Sequence, residues 1–167
     1  MARRIVMSLA GVLNLLLVDQ FVKAFAIARL KSAQPIEVLS GFFDLTYVEN
    51  RGCAWGMLQG HVWPLAAFAL VAMAVLVVKR KTIFPEGGWG VAAELMLHAG
   101  IVGNLIDRLF RGCVVDMFDF HWGVHHFPVF NMADTYITLA AAILIFDGVF
   151  RRDSGRKPPP GSSADMK

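Results

Sequence analysis

Two aspartates, Asp116 and Asp134, lie where the sequence makes an ionised carboxylate costly. Asp116 follows two valines just beyond one apolar segment, and Asp134 lies at the start of the next one. Acidic side chains at membrane depth are rare, and they usually face a bundle interior or a water-filled cavity, where they serve function more than stability. Two of them at the same level indicate acid/base chemistry.

Each aspartate also has a simpler interpretation. Asp116 fits a solvated carboxylate in a loop, which is also what we expect for Asp119. Asn131 precedes Asp134 by three residues where a helix begins, so Asn131 is a candidate N-cap. Asp134 would then lie in the first turn, where the helix dipole favours negative charge. The residues alone leave both interpretations open.

Three further polar residues precede Asp116 at helical spacing. Asn104, Asp107 and Arg108 stand at i, i+3 and i+4, so they share one helix face. An Asp and an Arg placed in this way neutralise each other. A helix-end ion pair that secures the bundle therefore explains these residues as well as a functional site does.

The chain as a whole is too apolar for an ordinary soluble domain. Of its 167 residues, 56% are hydrophobic and 17% are charged, and the mean hydropathy is +0.55. These values are typical of a small polytopic membrane protein. We expect one membrane-embedded domain over residues 1–150. Residues 151–167 are rich in Pro, Gly, Ser and charge, which predicts a disordered cytoplasmic tail.

The basic residues predict topology rather than nucleic-acid binding. The net charge is +3 and the isoelectric point is about 9.1, but the basic residues form short clusters beside apolar segments and no nucleic-acid module is evident. Nucleic acid is therefore not an expected partner.

Four apolar segments approach the roughly 20 residues that a membrane-spanning helix needs. They are residues 5–30, 62–78, 89–105 and 133–150. Basic clusters precede the first segment and follow the second and the fourth, which puts all three on one side of the membrane. By the positive-inside rule that side is cytoplasmic. Both termini are then inside, and residues 31–61 and 106–132 face outward.

The first segment also imitates a cleaved signal peptide. Arg3 and Arg4 precede an apolar run that ends in small-x-small sequences, as a signal peptide would. Asp19 and Lys23 interrupt this run before any such cleavage site. Because they are spaced i, i+4, they share a helix face and can pair, so a retained span is favoured.

The first outward-facing segment contains two pieces with β-strand character, residues 36–39 and 42–48, separated by Ser40-Gly41. They predict a small hairpin or sheet at the membrane surface, with an irregular loop as the alternative. By the assigned topology, eight polar residues fall near the outer leaflet, and one polar pocket would explain them all: Asp19, Asn50, Asn104, Asp107, Arg108, Asp116, Asn131 and Asp134.

Other chemistries have weaker support. Glu94 and His98 are spaced i, i+4 within the third span, which favours a buried hydrogen-bonded pair. The histidines of the second outer segment are a possible zinc site without nearby cysteine ligands, so no metal is expected. No serine nucleophile motif is present. The two cysteines, Cys53 and Cys113, both lie on the outer side, and spacing leaves open whether they form a disulfide.

Over nearly its whole length except the tail, the chain resembles the bacterial lipoprotein signal peptidases, also called signal peptidase II. Any one of the shared motifs would be weak evidence, but five in order are specific. They are Asp19-Gln20-Phe21-Val22-Lys23, Asn50-Arg51-Gly52-Cys53-Ala54-Trp55-Gly56, Gly103-Asn104-Leu105-Ile106-Asp107-Arg108, Val114-Val115-Asp116 and Phe130-Asn131-Met132-Ala133-Asp134.

The resemblance implies an all-α membrane protein, a four-transmembrane-helix bundle with a small β-sheet cradle on its outer, periplasmic face. It implies an aspartic endopeptidase of the bacterial inner membrane that cleaves prolipoproteins before a diacylglyceryl-modified cysteine. Asp116 and Asp134 match the catalytic dyad. Supporting or substrate-binding positions, with a structural role for Asp107, match Asp19, Lys23, Asn50, Gly52, Asn104, Asp107, Arg108 and Asn131. No cofactor is implied; membrane lipids and the inhibitor globomycin are expected to bind.

The second motif departs from the family pattern, which is usually Asn-Thr-Gly-Ala-Ala-Phe. This chain has Arg51, Cys53 and Trp55 in place of the Thr, the first Ala and the Phe, while Asn50 and Gly52 are retained. The departure leaves the predicted chemistry intact and bears on substrate preference. Arg51 would suit an anionic lipid headgroup or a different peptide.

Two other functions are compatible with the residues. A proton-coupled transporter would use intramembrane acids as relay sites, but most of the acids cluster near one face instead of crossing the membrane. A noncatalytic assembly factor would need no dyad. Cleavage of a lipidated prolipoprotein distinguishes the peptidase from both.

Overall fold

The computed structural model describes the backbone of residues 2–53 and 57–154, and the side chains of residues 8–53 and 57–149. Trp55 and residues 155–167 of the predicted tail lie outside this description. The elements are α1 (Ala2–Leu30), β1 (Ile36–Leu39), β2 (Phe43–Asn50), α2 (Val62–Val78), α3 (Arg80–Ile83), α4 (Gly88–Phe110), β3 (Val114–Trp122), β4 (His125–His126) and α5 (Met132–Ser154).

Within the described residues, three helices are long and apolar enough to cross a membrane. They are Ser8–Leu30 of α1, all of α4, and Met132–Val149 of α5. The apolar helix α2 is shorter, at 17 residues. The prediction of a helical membrane protein is therefore confirmed.

The strands form one antiparallel sheet in the order β1-β2-β3-β4. The predicted hairpin is confirmed, because β1 and β2 pair with each other. The sequence interpretation missed β3, which pairs along most of β2. The signal was present in residues 118–122, where aromatic residues alternate with Asp119 and His121, a period of two that is typical of strands.

Helix α4 is central to the bundle and packs against α1, α2 and α5. Two glycines allow these helices to approach closely. A Cβ on Gly100 would lie 2.5 Å from the Ala133 carbonyl oxygen, and a Cβ on Gly103 would lie 2.5 Å from Asp19 Oδ2. Such distances are too short for any side chain, so only glycine permits the observed packing of α4 against α5 and α1.

An apolar cluster fixes the sheet to the end of α1. It consists of Ala26, Leu30, Val115 and Met117, all buried. Because successive residues of a strand point to opposite faces, Val115 and Met117 face this cluster while Asp116 between them points to the other side. Packing of the strand therefore determines which way Asp116 points.

One prediction about side-chain surroundings is confirmed in part and another is wrong. Glu94 and His98 are hydrogen-bonded, with His98 Nδ1 2.7 Å from the Glu94 backbone oxygen, but the Glu94 carboxylate forms a bidentate ion pair with Arg80. Asp119 is not in a solvated loop but in β3, with an oxygen 2.9 Å from His126 Nδ1. In both cases the partner comes from another element that sequence spacing does not reveal.

Both cysteines are free thiols. Cys113 is buried, and Cys53 is partly exposed, with its sulfur 3.4 Å from the Met57 carbonyl oxygen. Cys53 and Cys113 therefore do not form a disulfide in this structure, which answers the question that the sequence left open.

Candidate active site

Asp116 lies on β3 and is only 1% exposed. Each of its oxygens accepts a hydrogen bond from an asparagine: Oδ2 from Asn50 Nδ2 at 3.0 Å, and Oδ1 from Asn131 Nδ2 at 2.6 Å. Asn50 ends β2, the strand beside β3. The alternative interpretation of Asp116 as a solvated loop residue is therefore wrong.

Asp134 lies in the first turn of α5 and also receives two donors. Its Oδ1 accepts a hydrogen bond from Asn104 Nδ2 at 2.7 Å, and its Oδ2 accepts one from the Asn131 backbone N–H at 3.3 Å. Asn131 thus binds both aspartates, one through its side chain and one through its backbone. This shared partner holds the two carboxylates beside each other.

Asn131 is also the N-cap of α5. Its Oδ1 accepts a hydrogen bond from the Asp134 backbone N–H at 3.0 Å. In turn, Asp134 Oδ2 accepts a hydrogen bond from the Asn131 backbone N–H. This reciprocal pattern is a capping box with Asp in the third helical position. The capping interpretation of Asp134 and its place in a polar pocket are therefore not alternatives, because the same residues do both.

Burial, and after it the nearby charge of Asp134, raise the pKa of Asp116 to about 7, although hydrogen bonds from Asn50 and Asn131 oppose the shift. An ionised carboxylate loses hydration when it is buried, and a second carboxylate beside it repels its charge. Asp116 can therefore hold or release a proton near neutral pH.

Behind the two aspartates lies a buried charged cluster of Asp19, Lys23 and Asp107, each completely buried. The Lys23 ammonium lies 3.1 Å from Asp19 Oδ2 and 2.9 Å from Asp107 Oδ2. The predicted pairing of Asp19 with Lys23 is confirmed. The predicted pairing of Asp107 with Arg108 is not observed, because Asp107 faces Lys23 and Arg111.

The two carboxylates of this cluster each bind the backbone next to Asp116 or Asp134. Asp107 Oδ2 accepts the Val115 N–H at 3.1 Å, immediately before Asp116. Asp19 Oδ1 accepts the Ala133 N–H at 2.9 Å, immediately before Asp134. Charged hydrogen bonds of this kind are stronger than neutral ones, so the cluster fixes the positions of β3 and α5 relative to α1 and α4.

Sequence reasoning missed two members of this network. Gln20 Nε2 lies 3.0 Å from Asp19 Oδ2, and Gln20 Oε1 accepts a hydrogen bond from Arg111 at 2.9 Å. Arg111 also pairs with Asp107. The i, i+4 spacing of Asp107 and Arg111 was a usable signal, whereas the contact of Gln20 with Arg111 depends on how α1 and α4 pack.

Gly52 and Arg108 complete the site on the side of the β2–α2 connection. Arg108 donates to the Gly52 carbonyl oxygen at 3.2 Å, and the Gly52 N–H donates to Asn50 Oδ1 at 2.9 Å. All ten residues that the sequence singled out thus belong to one continuous network of hydrogen bonds and ion pairs.

Three asparagines in this network have a fixed orientation. Asn50 Oδ1 accepts the Gly52 N–H, Asn131 Oδ1 accepts the Asp134 N–H, and Asn104 Oδ1 accepts from Lys23 at 3.0 Å. Because only the oxygen of an amide can accept, each amide nitrogen must point toward a carboxylate. The arrangement is a buried carboxylate, Asp116, beside a half-buried one, Asp134, with oriented donors around both.

No group of three potential metal ligands is found among the residues that the structure describes. The donor set around the two aspartates consists of amide nitrogens, which cannot ligate a cation. The arrangement is suited instead to two carboxylates that share a proton, one accepting and the other donating it.

Comparisons with known proteins show the family of the chain. A family model described as signal peptidase (SPase) II matches residues 12–150. A protein named lipoprotein signal peptidase from Clostridium acetobutylicum is 35% identical over 83% of this chain and 90% of its own length. One of the same name from Vibrio vulnificus is 40% identical over 75% of this chain and 76% of its own length.

Two solved structures, each described as a bacterial membrane enzyme, share the fold. The first has a TM-score of 0.81 and 26% identity, covering 93% of this chain and 94% of that chain. The second has a TM-score of 0.70 and 28% identity, covering 86% of this chain and 92% of that chain.

Proposed function

We propose that Asp116 and Asp134 are the catalytic dyad of this chain. The chain belongs to the signal peptidase II family, and it removes signal peptides from prolipoproteins. The observation that carries the proposal is their shared partner: Asn131 binds both carboxylates. Two neighbouring carboxylates, one buried and one half-buried, cannot both ionise without a large cost, so they share one proton and titrate as a pair.

The shared proton gives each carboxylate a role in hydrolysis. The ionised aspartate takes a proton from a water molecule, whose oxygen attacks the scissile carbonyl carbon. The protonated aspartate donates a hydrogen bond, and then its proton, to the carbonyl oxygen as negative charge develops there. When the C–N bond breaks, the leaving nitrogen takes up a proton from the dyad, and a hydroxyl of the tetrahedral intermediate gives its proton to the dyad as the new carbonyl forms. The reaction needs no cofactor.

We further propose that cleavage occurs before a cysteine that carries diacylglycerol. Each buried methylene of an acyl chain contributes roughly 0.8 kcal/mol to membrane binding, so such a substrate stays in the bilayer. A site at the membrane surface, between helices and a small sheet, suits a scissile bond next to that anchor. Asn50, Gly52 and Arg108, which are linked by hydrogen bonds, are suited to hold the peptide beside the dyad.

The membrane arrangement that fits this function has four spans. Helix α2 has 17 residues, which is about 26 Å at 1.5 Å per residue and close to the hydrocarbon thickness of roughly 30 Å. Large apolar side chains project from α2 and are exposed, among them Trp63, Phe68 and Val78, as lipid contact requires. The following α3 carries Arg80 and Lys81, which would lie among lipid headgroups.

With four spans and the basic clusters inside, both termini would lie in the cytoplasm and the dyad on the outer face of the inner membrane. The basic clusters support this orientation, because the cytoplasmic side retains Lys and Arg. The sheet and the N-terminal end of α5 then lie on the outer side, where β1 and β2 follow directly from α1. The sheet would form a cradle for the extended peptide.

Cleavage of a lipidated prolipoprotein by the purified protein tests this function. We expect a decrease in substrate mass equal to the signal peptide, and we expect globomycin to block it. The matched control is the same prolipoprotein without its diacylglyceryl group, which should remain uncut. Equal cleavage of both substrates would contradict the proposed lipid dependence, and no cleavage of either would contradict the activity.

The pH dependence of cleavage follows from the raised pKa of Asp116. Above about pH 7 Asp116 loses its proton, the pair has no acid left, and kcat/KM should fall by about tenfold per pH unit. The free energy of unfolding should also decrease as pH rises. The preference of the folded state for protonated Asp116 contributes fully below the ordinary pKa of 3.8, and this contribution is lost as pH rises through about 7. A pH-rate profile that keeps rising through the alkaline range would indicate a single base instead.

A further inference from the structure

We propose that Lys23 is a positioning residue of the peptidase: it fixes the amide of Asn104 so that the nitrogen of that amide faces Asp134. The inference rests on the proposed function, because it gives Asp134 a catalytic role. Lys23 touches neither dyad residue in any described hydrogen bond or ion pair, and acts through one intervening side chain.

The ammonium of Lys23 has an acceptor for each of its three protons. These are Asp19 Oδ2 at 3.1 Å, Asp107 Oδ2 at 2.9 Å and Asn104 Oδ1 at 3.0 Å. An ammonium has three donors and no acceptor. In the completely buried setting of Lys23, an unused donor would be costly, so the third proton requires an oxygen from Asn104.

This requirement determines which end of the Asn104 amide faces the dyad. With Oδ1 on Lys23, Nδ2 points to Asp134 Oδ1 at 2.7 Å. The flipped amide would place an NH₂ group against the ammonium and an oxygen against the carboxylate. Both contacts would be repulsive at about 3 Å in a buried site, where charges interact more strongly than in water.

A comparison with Asn50 and Asn131 shows why the amide of Asn104 is oriented by the side chain of another residue and not by the backbone. Backbone N–H groups orient Asn50 and Asn131, through the turn at Gly52 and the first turn of α5. Asn104 lies within α4, where the backbone N–H groups are used by the helix itself. Asn131 Nδ2 adds a weaker, neutral donor to Asn104 Oδ1 at 3.2 Å, so loss of Lys23 should loosen the amide without inverting it.

The charge of Lys23 lowers the pKa of Asp116 directly, but less than the hydrogen bonds from Asn50 and Asn131 do, and neighbouring carboxylates weaken this field. Its positive charge is opposed by Asp19 and Asp107, and Arg111 pairs with Asp107 as well. The cluster thus combines two cations with two carboxylates. A cluster without net charge transmits little Coulomb energy, whereas the hydrogen bond to Asn104 is directional.

A double-mutant cycle between Lys23→Met and Asn104→Ala tests the proposal. All variants carry Asp107→Asn, so that Lys23→Met leaves Asp19 facing Arg111 and does not leave two buried carboxylates facing one arginine. The variants that keep Lys23 then have one surplus positive charge, and a field effect of that charge on kcat would appear equally with and without Asn104. We expect Lys23→Met to lower kcat by about tenfold, the effect of one charged hydrogen bond, with KM within about twofold. In the Asn104→Ala background it should have no further effect on kcat.

The matched control for a purely structural loss is Glu94→Gln. It breaks the ion pair with Arg80 near the other end of α4, so it should lower thermal stability and leave kcat unchanged. An equal fall in kcat on Lys23→Met with and without Asn104 would overturn the proposal, as would a rise in KM in place of a fall in kcat. These outcomes are independent of the dyad, whose failure would appear instead as cleavage by the Asp116 and Asp134 variants.

Discussion

Replacement of Asp116 or Asp134 by Asn is expected to lower kcat by about 10²- to 10⁴-fold, the contribution of general acid or base catalysis. Asn has nearly the shape of Asp but can neither accept nor release a proton in this reaction. Because the two carboxylates act as a unit, the double variant should be no slower than the slower single variant. The measurement is the rate of prolipoprotein cleavage at saturating substrate.

Asp119→Asn is the matched control for these variants. Asp119 lies on the same strand as Asp116, three residues further on, and binds His126 on the other face of the sheet. This substitution removes a carboxylate from β3 without touching the pair, so cleavage should stay within about twofold of the unmodified protein. Each variant should also be recovered from the membrane in normal yield. Near-normal cleavage by either dyad variant would refute the assignment of the dyad.

Several polar residues of the candidate site could be predicted to lie together because their signals are local. Asn131 and Asp134 are spaced i, i+3 at a helix start, and Asn104, Asp107 and Arg108 are spaced i, i+3 and i+4 on one helix. Such spacings define a helix face without knowledge of the fold. Membrane depth then made each polar residue costly, which indicated that they share one pocket.

Partners on different elements could not be read from spacing. Glu94 pairs with Arg80 because the connection between α2 and α4 brings the two residues together. Asp107 forms ion pairs with Lys23 and Arg111 and not with the adjacent Arg108. A buried carboxylate pairs with whichever cation the packing places in reach, and packing is a property of the whole bundle. The family comparison excludes the transporter and the assembly factor, which residues alone had left open.

The polar cluster links the helix packing to the site. Gly103 leaves room for Asp19 beside α4, Asp19 then binds the Ala133 N–H, and Asp134 follows in the next position. On the other side, Asp107 binds the Val115 N–H immediately before Asp116. The positions of Asp116 and Asp134 thus depend on two backbone contacts, whose carboxylates both pair with Lys23.

Asn131→Ala is expected to reduce both stability and activity, because Asn131 has two separate functions. Loss of the N-cap should destabilise α5 by about 0.5–2 kcal/mol, which thermal unfolding in detergent would measure. Loss of the hydrogen bond to Asp116, at 2.6 Å, should lower kcat by about 10- to 150-fold, since a bond to a charged group contributes about 1.5–3 kcal/mol.

Asn131→Ser separates the two functions. A serine hydroxyl caps a helix nearly as well as an asparagine, so the thermal stability lost in Asn131→Ala should return. The shorter side chain does not reach Asp116 and Asn104, which now receive donors from Asn131 Nδ2, so cleavage should remain as slow as in the Ala variant. If Ser restored cleavage together with stability, Asn131 would act only as a cap, and the geometry of the dyad would depend on the helix end alone.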